Sequence, residues 1–295
     1  MPDVDLSQLR ALAAVVDEGS FDAAAAALHL TPSAVSQRMK ALEQSAGRVL
    51  VRRTKPSAVT EAGEAYLRLA RQVESLVQDV RLEVDHELER PPTIPLAVNG
   101  DSLATWVLPA LAGLVGTAYF DVRREDEGRT ADLLRSGTVM AAITSDAAPV
   151  QGCRSTRLGT MRYRPMASTS FADTWFSAGV DGESLAVAPV VVFDRSDDLQ
   201  DAYLRSRSRS RRRLDPPRHH IPASSQFAEA IRLGLGWGML PKEQSEELER
   251  DGQLVDLDPG HHVDVTLYWQ QWTLQTPALE ATARAVHQAA SAHLA

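Results

Sequence analysis

Between Gly63 and Pro91-Pro92 the chain has neither glycine nor proline. A stretch of that length without a breaker reads as one helix, and at 1.5 Å per residue a helix over 61–90 is about 45 Å long. Such a rod cannot be buried inside a small core. It divides the 295-residue chain into a short head, a spacer and a larger body, with the proline pair at the second boundary. Along the rod Tyr66, Leu69, Val73, Leu76, Val80 and Val84 recur every three or four residues. Arg68, Arg71, Glu74, Asp79, Arg81, Glu83 and Asp85 occupy the rest of its surface. A narrow apolar stripe on a charged helix suits coiled-coil pairing with a second copy; the other reading is a helix packed on its own domain.

Charge is distributed unevenly between head and body. The formal net charge is −8, yet residues 31–60 carry Arg38, Lys40, Arg48, Arg52, Arg53 and Lys55 against Glu43 alone. A locally basic segment on an acidic chain is the footprint of a small nucleic-acid-binding module. Leu6, Leu9, Ala13 and Val16 give a first helix over 6–18, stopped by Gly19. Ser20 caps a second that buries Phe21, Ala24, Ala25 and Leu28. Thr31 caps a third, with Pro32 at its first position, where no N–H is needed. Val35, Met39 and Leu42 form its inner stripe, so Ser33, Ser36, Gln37 and Lys40 fall on the opposite face. Alone, that face reads equally as a solvated surface or as a helix for a major groove. Three short helices, a tight turn at His29-Leu30 and the basic segment that follows favour a helix-turn-helix. The stretch "GRVLVRRTKPSAVTEAG" predicts a wing: a strand at Val49–Val51, a turn at Lys55–Ser57, a return at Ala58-Val59 and a helix cap at Thr60. Arg52, Arg53 and Lys55 then face phosphates or a minor groove.

Beyond Pro92 strand and helix signals alternate, as in an open α/β sheet. Strands are expected at "IPLAV", "YFDVR", "MAAITS", "PVVVF" and "HVDVTLYWQQW", and the last helix follows Thr276. Ligands of such sheets sit beyond the carboxyl ends of strands. Those points carry Asp101-Ser102, Glu125-Asp126, Thr144, Ser145, Asp146 and Asp194. Acids are ordinary in solvated loops, but a desolvated cationic ligand requires a carboxylate partner. The ligand's own carboxylate would rest on N–H groups near Ser102.

Other chemistries find little support. Cys153 is the one cysteine, so no intramolecular disulfide or cysteine-rich metal site is expected. His219-His220 and His261-His262 are adjacent pairs that point to opposite faces of a strand, so no metal is expected. "GLGWG" at Gly234–Gly238 follows a helix, not the strand a dinucleotide loop needs. Neither G-x-S-x-G nor H-E-x-x-H occurs, and neither an enzymatic activity nor a cofactor is expected. The N-terminus lacks a signal pattern and no apolar run reaches a membrane span, so a cytoplasmic location is expected. The run "RSRSRSRRR" at Arg205–Arg213 is expected to be an extended, solvated loop of the body, with a direct role on DNA the lesser reading.

The succession "FDAAAAALHLTPSAVSQRMKALE", "GRVLVRR" and "VTEAGE" resembles the N-terminal domain of LysR-type transcriptional regulators. Members usually carry Leu-Phe-x-Arg in the wing; here Val51 replaces the phenylalanine and Arg53 keeps the arginine position. The resemblance implies that Thr31, Pro32, Ser33, Ser36, Gln37, Lys40 and Arg53 contact double-stranded DNA. It also implies two α/β lobes like those of periplasmic binding proteins, joined by two crossover strands, with a small-molecule effector in the cleft. The expected layout is a winged helix-turn-helix over 1–60, a dimerising linker over 61–90 and an effector domain over 91–295. Lobe I would take about 91–163 and 267–295, and lobe II about 164–266. "VNGDSLATWVLPAL", "EDE", "GTMRYRPMA", "GLGWGMLP" and "YWQQWTL" resemble the family branch that senses lysine and arginine and activates basic-amino-acid exporters. That branch implies L-lysine or L-arginine as effector, and a homodimer that extends in the family to a dimer of dimers. An unrelated organic acid as effector, and a cytoplasmic solute-binding module, are the alternatives.

Overall fold

The computed structural model describes residues 4–84, 91–125, 127–208 and 214–295. The head begins with α1 (Leu6–Asp17), α2 (Phe21–Ala27) and α3 (Pro32–Ala46). Each opens on a side chain that satisfies an otherwise unpaired N–H. The Asp5 carboxylate accepts from Ser7 N at 2.7 Å, the Ser20 hydroxyl from Ala23 N at 3.1 Å and the Thr31 hydroxyl from Ala34 N at 3.2 Å. The turn between α2 and α3 is sharp because His29 adopts the left-handed conformation, φ 55°. The wing is β1 (Val51–Arg52) against β2 (Ala58–Val59), antiparallel. It is shorter than the expected strand from Val49. The Val49 and Leu50 carbonyls accept from the hydroxyl and N–H of Thr60 at 2.8 and 2.9 Å, which holds that segment on the next helix.

That helix, α4 (Glu61–Val84), is the long rod. The Thr60 hydroxyl caps it, accepting from Gly63 N at 3.0 Å. Its first turns complete the head: Leu67 and Ala70 are buried with Leu9, Leu12, Val15, Val35, Met39, Leu42 and Leu50, and Tyr66 and Val73 pack on the same core. The expected single seam is therefore divided. Tyr66 and Val73 face the head, because its three short helices need an apolar lid. Leu69, Leu76, Val77 and Val80 stay exposed, Val80 at 58%. The side chain of Val84 and the whole of Asp85 lie outside the described residues.

The body begins with β3 (Thr93–Val98) and α5 (Gly100–Ser102), which runs through a π-helical turn at Leu103–Val107 into α6 (Leu108–Ala112). Pro109 has no N–H to close an α turn, and the Thr105 hydroxyl donates to the Asp101 carbonyl at 2.7 Å, so the backbone widens there. Next come β4 (Tyr119–Arg124), α7 (Glu127–Arg135), β5 (Ala141–Thr144) and β6 (Cys153–Ser168). After β6 follow α8 (Thr169–Trp175), α9 (Gly182–Val187), β7 (Val190–Val192), α10 (Leu199–Arg207), β8 (Arg218–His220) and α11 (Ser224–Arg232). The chain ends with β9 (Gly238–Pro241), α12 (Lys242–Arg250), β10 (Leu254–Asp256), β11 (Val263–Trp272) and α13 (Pro277–His293).

One sheet runs in the order β10-β6-β11-β5-β3-β4, with β9 also on β6. The strand β6 belongs to both lobes. Its Cys153–Tyr163 part pairs with β11, Tyr163–Met166 with β9, and Met166–Ser168 with β10. The parallel pair β7-β8 stands apart in lobe II. Trp106, Trp269, Trp272, Leu96, Ile143 and Val286 lie in the main core, and Met166, Val191, Ile231, Leu240 and Leu254 form a smaller one in lobe II.

The first three residues of the arginine tract, Arg205–Arg207, depart from the expected loop. Arg205 and Arg207 are in the last turns of α10, where Asp198 and Asp258 face them at 2.6 and 3.0 Å. Residues 209–213 lie outside the described ones. Cys153 is buried, and desolvation pushes its thiol up to about 11.

Candidate DNA-reading helix and effector cleft

The exposed face of α3 is built from its cap outward. Thr31 Oγ1 lies 3.0 Å from Ser33 Oγ, and Val35, Met39 and Leu42 anchor the inner face at 2% exposure or less. Thr31, Pro32, Ser33, Gln37 and Lys40 are exposed and Ser36 partly so. These groups present hydroxyls, an amide and a cation along one ridge, the donors and acceptors that base edges and phosphates require. Glu43, the lone acid of this region, is turned inward: its Oε1 accepts from Leu50 N at 2.8 Å and Val51 N at 3.4 Å. It fixes the wing relative to α3 and leaves the outer surface cationic. Arg52 and Arg53 are exposed, and the Arg53 guanidinium sits 5.0 Å from the centre of the Phe21 ring. That stacking orders a long side chain beside α3. Val51 fills its position at 4% exposure.

Ser36→Ala is expected to weaken binding to a specific site by about 1–3 kcal/mol, the range of a lost base contact. Arg53→Ala should lower affinity across all sequences and flatten its salt dependence. Footprinting and salt titrations check both; wild-type affinity and sequence preference in both variants would remove this assignment.

The second site is a cleft of about 810 Å³ between the lobes, within the range of small-ligand pockets. Asn99, Gly100 and Asp101 line it from the end of β3, Glu125 from the end of β4, and Phe193, Asp194, Asp197 and Asp198 from the segment after β7. Five carboxylates thus line one cavity, and four are already engaged. Asp101 Oδ2 accepts from the Tyr163 hydroxyl at 2.8 Å, and Oδ1 from the Ser224 hydroxyl at 2.6 Å. Asp194 accepts from the Ser196 hydroxyl and from Ser196 N and Asp197 N. The Ser196 hydroxyl above all holds its carboxyl below the ordinary range. Asp197 accepts from Phe193 N and Leu199 N at 3.1 and 3.0 Å. Burial outweighs these bonds and pushes its carboxyl up, with Asp101 and Asp194 adding repulsion. Asp198 holds Arg205. Glu125 is different: among the described residues no side-chain hydrogen bond or ion pair occupies its carboxylate.

The strand-end residues expected at this site divide in the same way. Asp101, Glu125 and Asp194 line the cleft; Ser102, Thr144, Ser145 and Asp146 do not. Ser102 is fully buried, and its N–H is taken by Asn99 Oδ1 at 2.8 Å, so that donor is not free for a ligand carboxylate. The strand β5 lies between β3 and β11, and Gln270 Nε2 donates to the Asp146 carbonyl at 2.9 Å. This closes the Thr144–Asp146 turn away from the cavity. Asp126 lies outside the described residues. The sequence reading missed Tyr163, Phe193, Asp197 and Ser224. Tyr163 was hidden within a crossover strand, and Phe193 and Asp197 within a loop without regular pattern. Ser224 opens α11, a position that a helix-start signal could have flagged.

Among the described residues, no group of three or more His, Cys, Asp or Glu is placed to hold a metal ion, and no helix is long and apolar enough to cross a membrane.

Comparison with known proteins bears on both sites. Residues 6–64 match the family described as bacterial regulatory helix-turn-helix protein, lysR family. Residues 92–291 match the LysR substrate binding domain. The chain is 41% identical over 289 residues to the lysine export transcriptional regulatory protein LysG of Corynebacterium glutamicum, covering 96% of this chain and 97% of that protein. It is similar to the crystal structure of ArgP from Mycobacterium tuberculosis, with a TM-score of 0.92 and 45% identity over 99% of each chain. It is also similar to full-length LysG from Corynebacterium glutamicum with bound effector Arg, with a TM-score of 0.84, 38% identity and coverage of 98% and 99%.

Proposed function

The chain belongs to the LysR family of bacterial helix-turn-helix transcriptional regulators, and from that premise we propose that it activates a basic-amino-acid exporter gene in response to L-arginine or L-lysine. Thr31, Pro32, Ser33, Ser36, Gln37 and Lys40 read double-stranded DNA, with Arg52 and Arg53 on its backbone. The linker over 61–90 pairs two copies, which sets two reading helices on a two-fold site. Such a regulator works in the cytoplasm, beside the DNA, as a binding protein and not an enzyme.

The observation that carries the effector is the Glu125 carboxylate, without a partner among the described residues in a cleft otherwise lined by engaged acids. A desolvated ammonium or guanidinium needs such a partner, and an organic anion would be repelled by the same wall. Two of the relatives, a lysine export regulator and a LysG structure with bound effector Arg, support the same class of ligand. For the ligand to act it must bind one arrangement of the lobes more tightly than the other.

Calorimetry decides. Saturable heat is expected from L-arginine or L-lysine, and Glu125→Gln should weaken binding about 10–100-fold, the worth of a charge-assisted hydrogen bond. Silence from both amino acids, with saturable heat from an organic anion, would overturn the assignment.

A further inference from the structure

We propose that Arg71 is the positioning residue that transmits the state of the effector cleft to the DNA-reading head, because its one guanidinium joins the loop after α7 in the body to the end of α1 in the head. Its NH1 donates to Thr138 Oγ1 at 3.1 Å and to the Ser136 carbonyl at 3.5 Å, in the loop that ends α7. Its NH2 is paired with the Asp17 carboxylate at the last residue of α1. The guanidinium is largely enclosed, with its side chain 17% exposed.

Both ends of this junction lead to the sites described above. On the body side, α7 starts two residues after Glu125 and delivers Ser136 and Thr138 to Arg71. On the head side, α1 packs on α3 and α4, so a pull on Asp17 acts on the frame that orients the reading helix. The loop is seated without slack. Gly137 has φ 70°, and a Cβ there would lie 2.9 Å from Arg68 Cα. Arg68, one turn earlier on α4, donates to the Gln151 carbonyl at 2.9 Å and fixes a second point of lobe I. A rotation of lobe I that moves α7 must therefore either carry α4 and α1 along or break a bond to Arg71. A planar fork can hold partners on two sides at once; the single ammonium of lysine cannot reproduce that geometry.

This inference rests on the effector reading above, and the test separates the two. Wild type, Arg71→Ala, Arg71→Lys, Asp17→Asn and Thr138→Val are compared by calorimetry with L-arginine and L-lysine. Their binding to DNA from upstream of the chain's own gene is measured with and without ligand. All variants should bind ligand within about twofold of wild type, while the ligand-induced change in DNA affinity, typically about 5–150-fold for coupled sites, falls below about twofold in Arg71→Ala. Arg71→Lys should recover only part of it. Retention of the full wild-type response in Arg71→Ala overturns the proposal. If Arg71→Ala does not fold, Asp17→Asn and Thr138→Val cut the two ends separately, and a full response in both overturns it equally. Amide hydrogen exchange supplies an arm that needs no ligand. In the Arg71→Ala chain, exchange should quicken at both Glu18 and Gly137–Val139; no change at either end also overturns the proposal. Absence of any wild-type response to either amino acid removes the effector reading, and the exchange arm then decides the junction by itself.

Discussion

Val80→Glu and Leu76→Glu are each expected to convert the protein to a monomer and to lower its affinity for a two-site operator by about 10²–10⁴-fold, the gain that linking two modules confers. Among the described residues, Leu69, Leu76, Val77 and Val80 are the large apolar side chains of α4 left in water, between 40% and 58% exposed. A spacing of seven and then four residues is that of a coiled-coil seam. A carboxylate placed there would be buried without a partner when two helices meet, which costs several kcal/mol. The head has its own core, and Leu76 and Val80 are not part of it, so the monomer should remain folded. Sedimentation and DNA binding of the two variants check this. A fully dimeric Val80→Glu with unchanged operator affinity would show that the seam lies elsewhere. Val73, which shares the same spacing, is a poor probe, because it packs on the head.

Gly63→Ala is expected to destabilise the head by about 3 kcal/mol or more, at the upper end for a forced insertion into a packed site. The first turn of α4 crosses the Leu50 backbone so closely that a Cβ on Gly63 would fall 2.0 Å from the Leu50 carbonyl oxygen. That oxygen cannot move freely, since it also accepts from Thr60 N at 2.9 Å. The added methyl must push α4 off the wing, and Leu67 and Ala70 with it. The effector domain has a separate core, so DNA binding should fail at a temperature where ligand binding persists. Melting of the variant followed by both activities checks this, and coincidence with the wild-type curves contradicts it.

The head was legible residue by residue. Caps at Ser20, Thr31 and Thr60, a 3.6-residue stripe through Val35, Met39 and Leu42, and a turn at His29 are local signals, and the structure uses each of them. The body was legible as an alternation of strands and helices, but the long β6 was expected only as a crossover implied by the resemblance, and α9, α12 and β10 were missed. They are short, and α12 (Lys242–Arg250) is so polar that its sequence carries only a faint inner stripe. The division of the α4 stripe was not legible either, because one apolar period cannot say which partner covers which half. At the cleft, position beyond a strand end identified Asp101, Glu125 and Asp194 but also four residues that do not line it. Distinguishing Glu125 from the other acids required the hydrogen bonds that Tyr163 and Ser224 bring to Asp101 from distant parts of the chain, and the local ones of Ser196, Arg205 and four backbone amides. The arginine tract misled for the opposite reason: its charge suggested a solvated loop, and Asp198 and Asp258, both far from its centre, draw its first residues into a helix.

The shared strand β6 makes lobe II a removable cassette. The chain enters that lobe along β6 after Tyr163 and leaves it along β11 near Val263, residues that pair with each other. A graft of this lobe from a relative therefore needs two splice points that face one another across a single rung of the sheet. From Gly159 to Pro165 burial alternates along the strand, with Met161, Tyr163 and Pro165 buried and Thr160, Arg162 and Arg164 partly so. A donor segment one residue too long at either join would reverse the parity of the residues beyond it relative to Tyr163. Chimeras that conserve parity at both joins should keep the recipient's DNA site while taking on the donor's lobe II wall of the cleft; those that do not should fail to assemble a cleft at all.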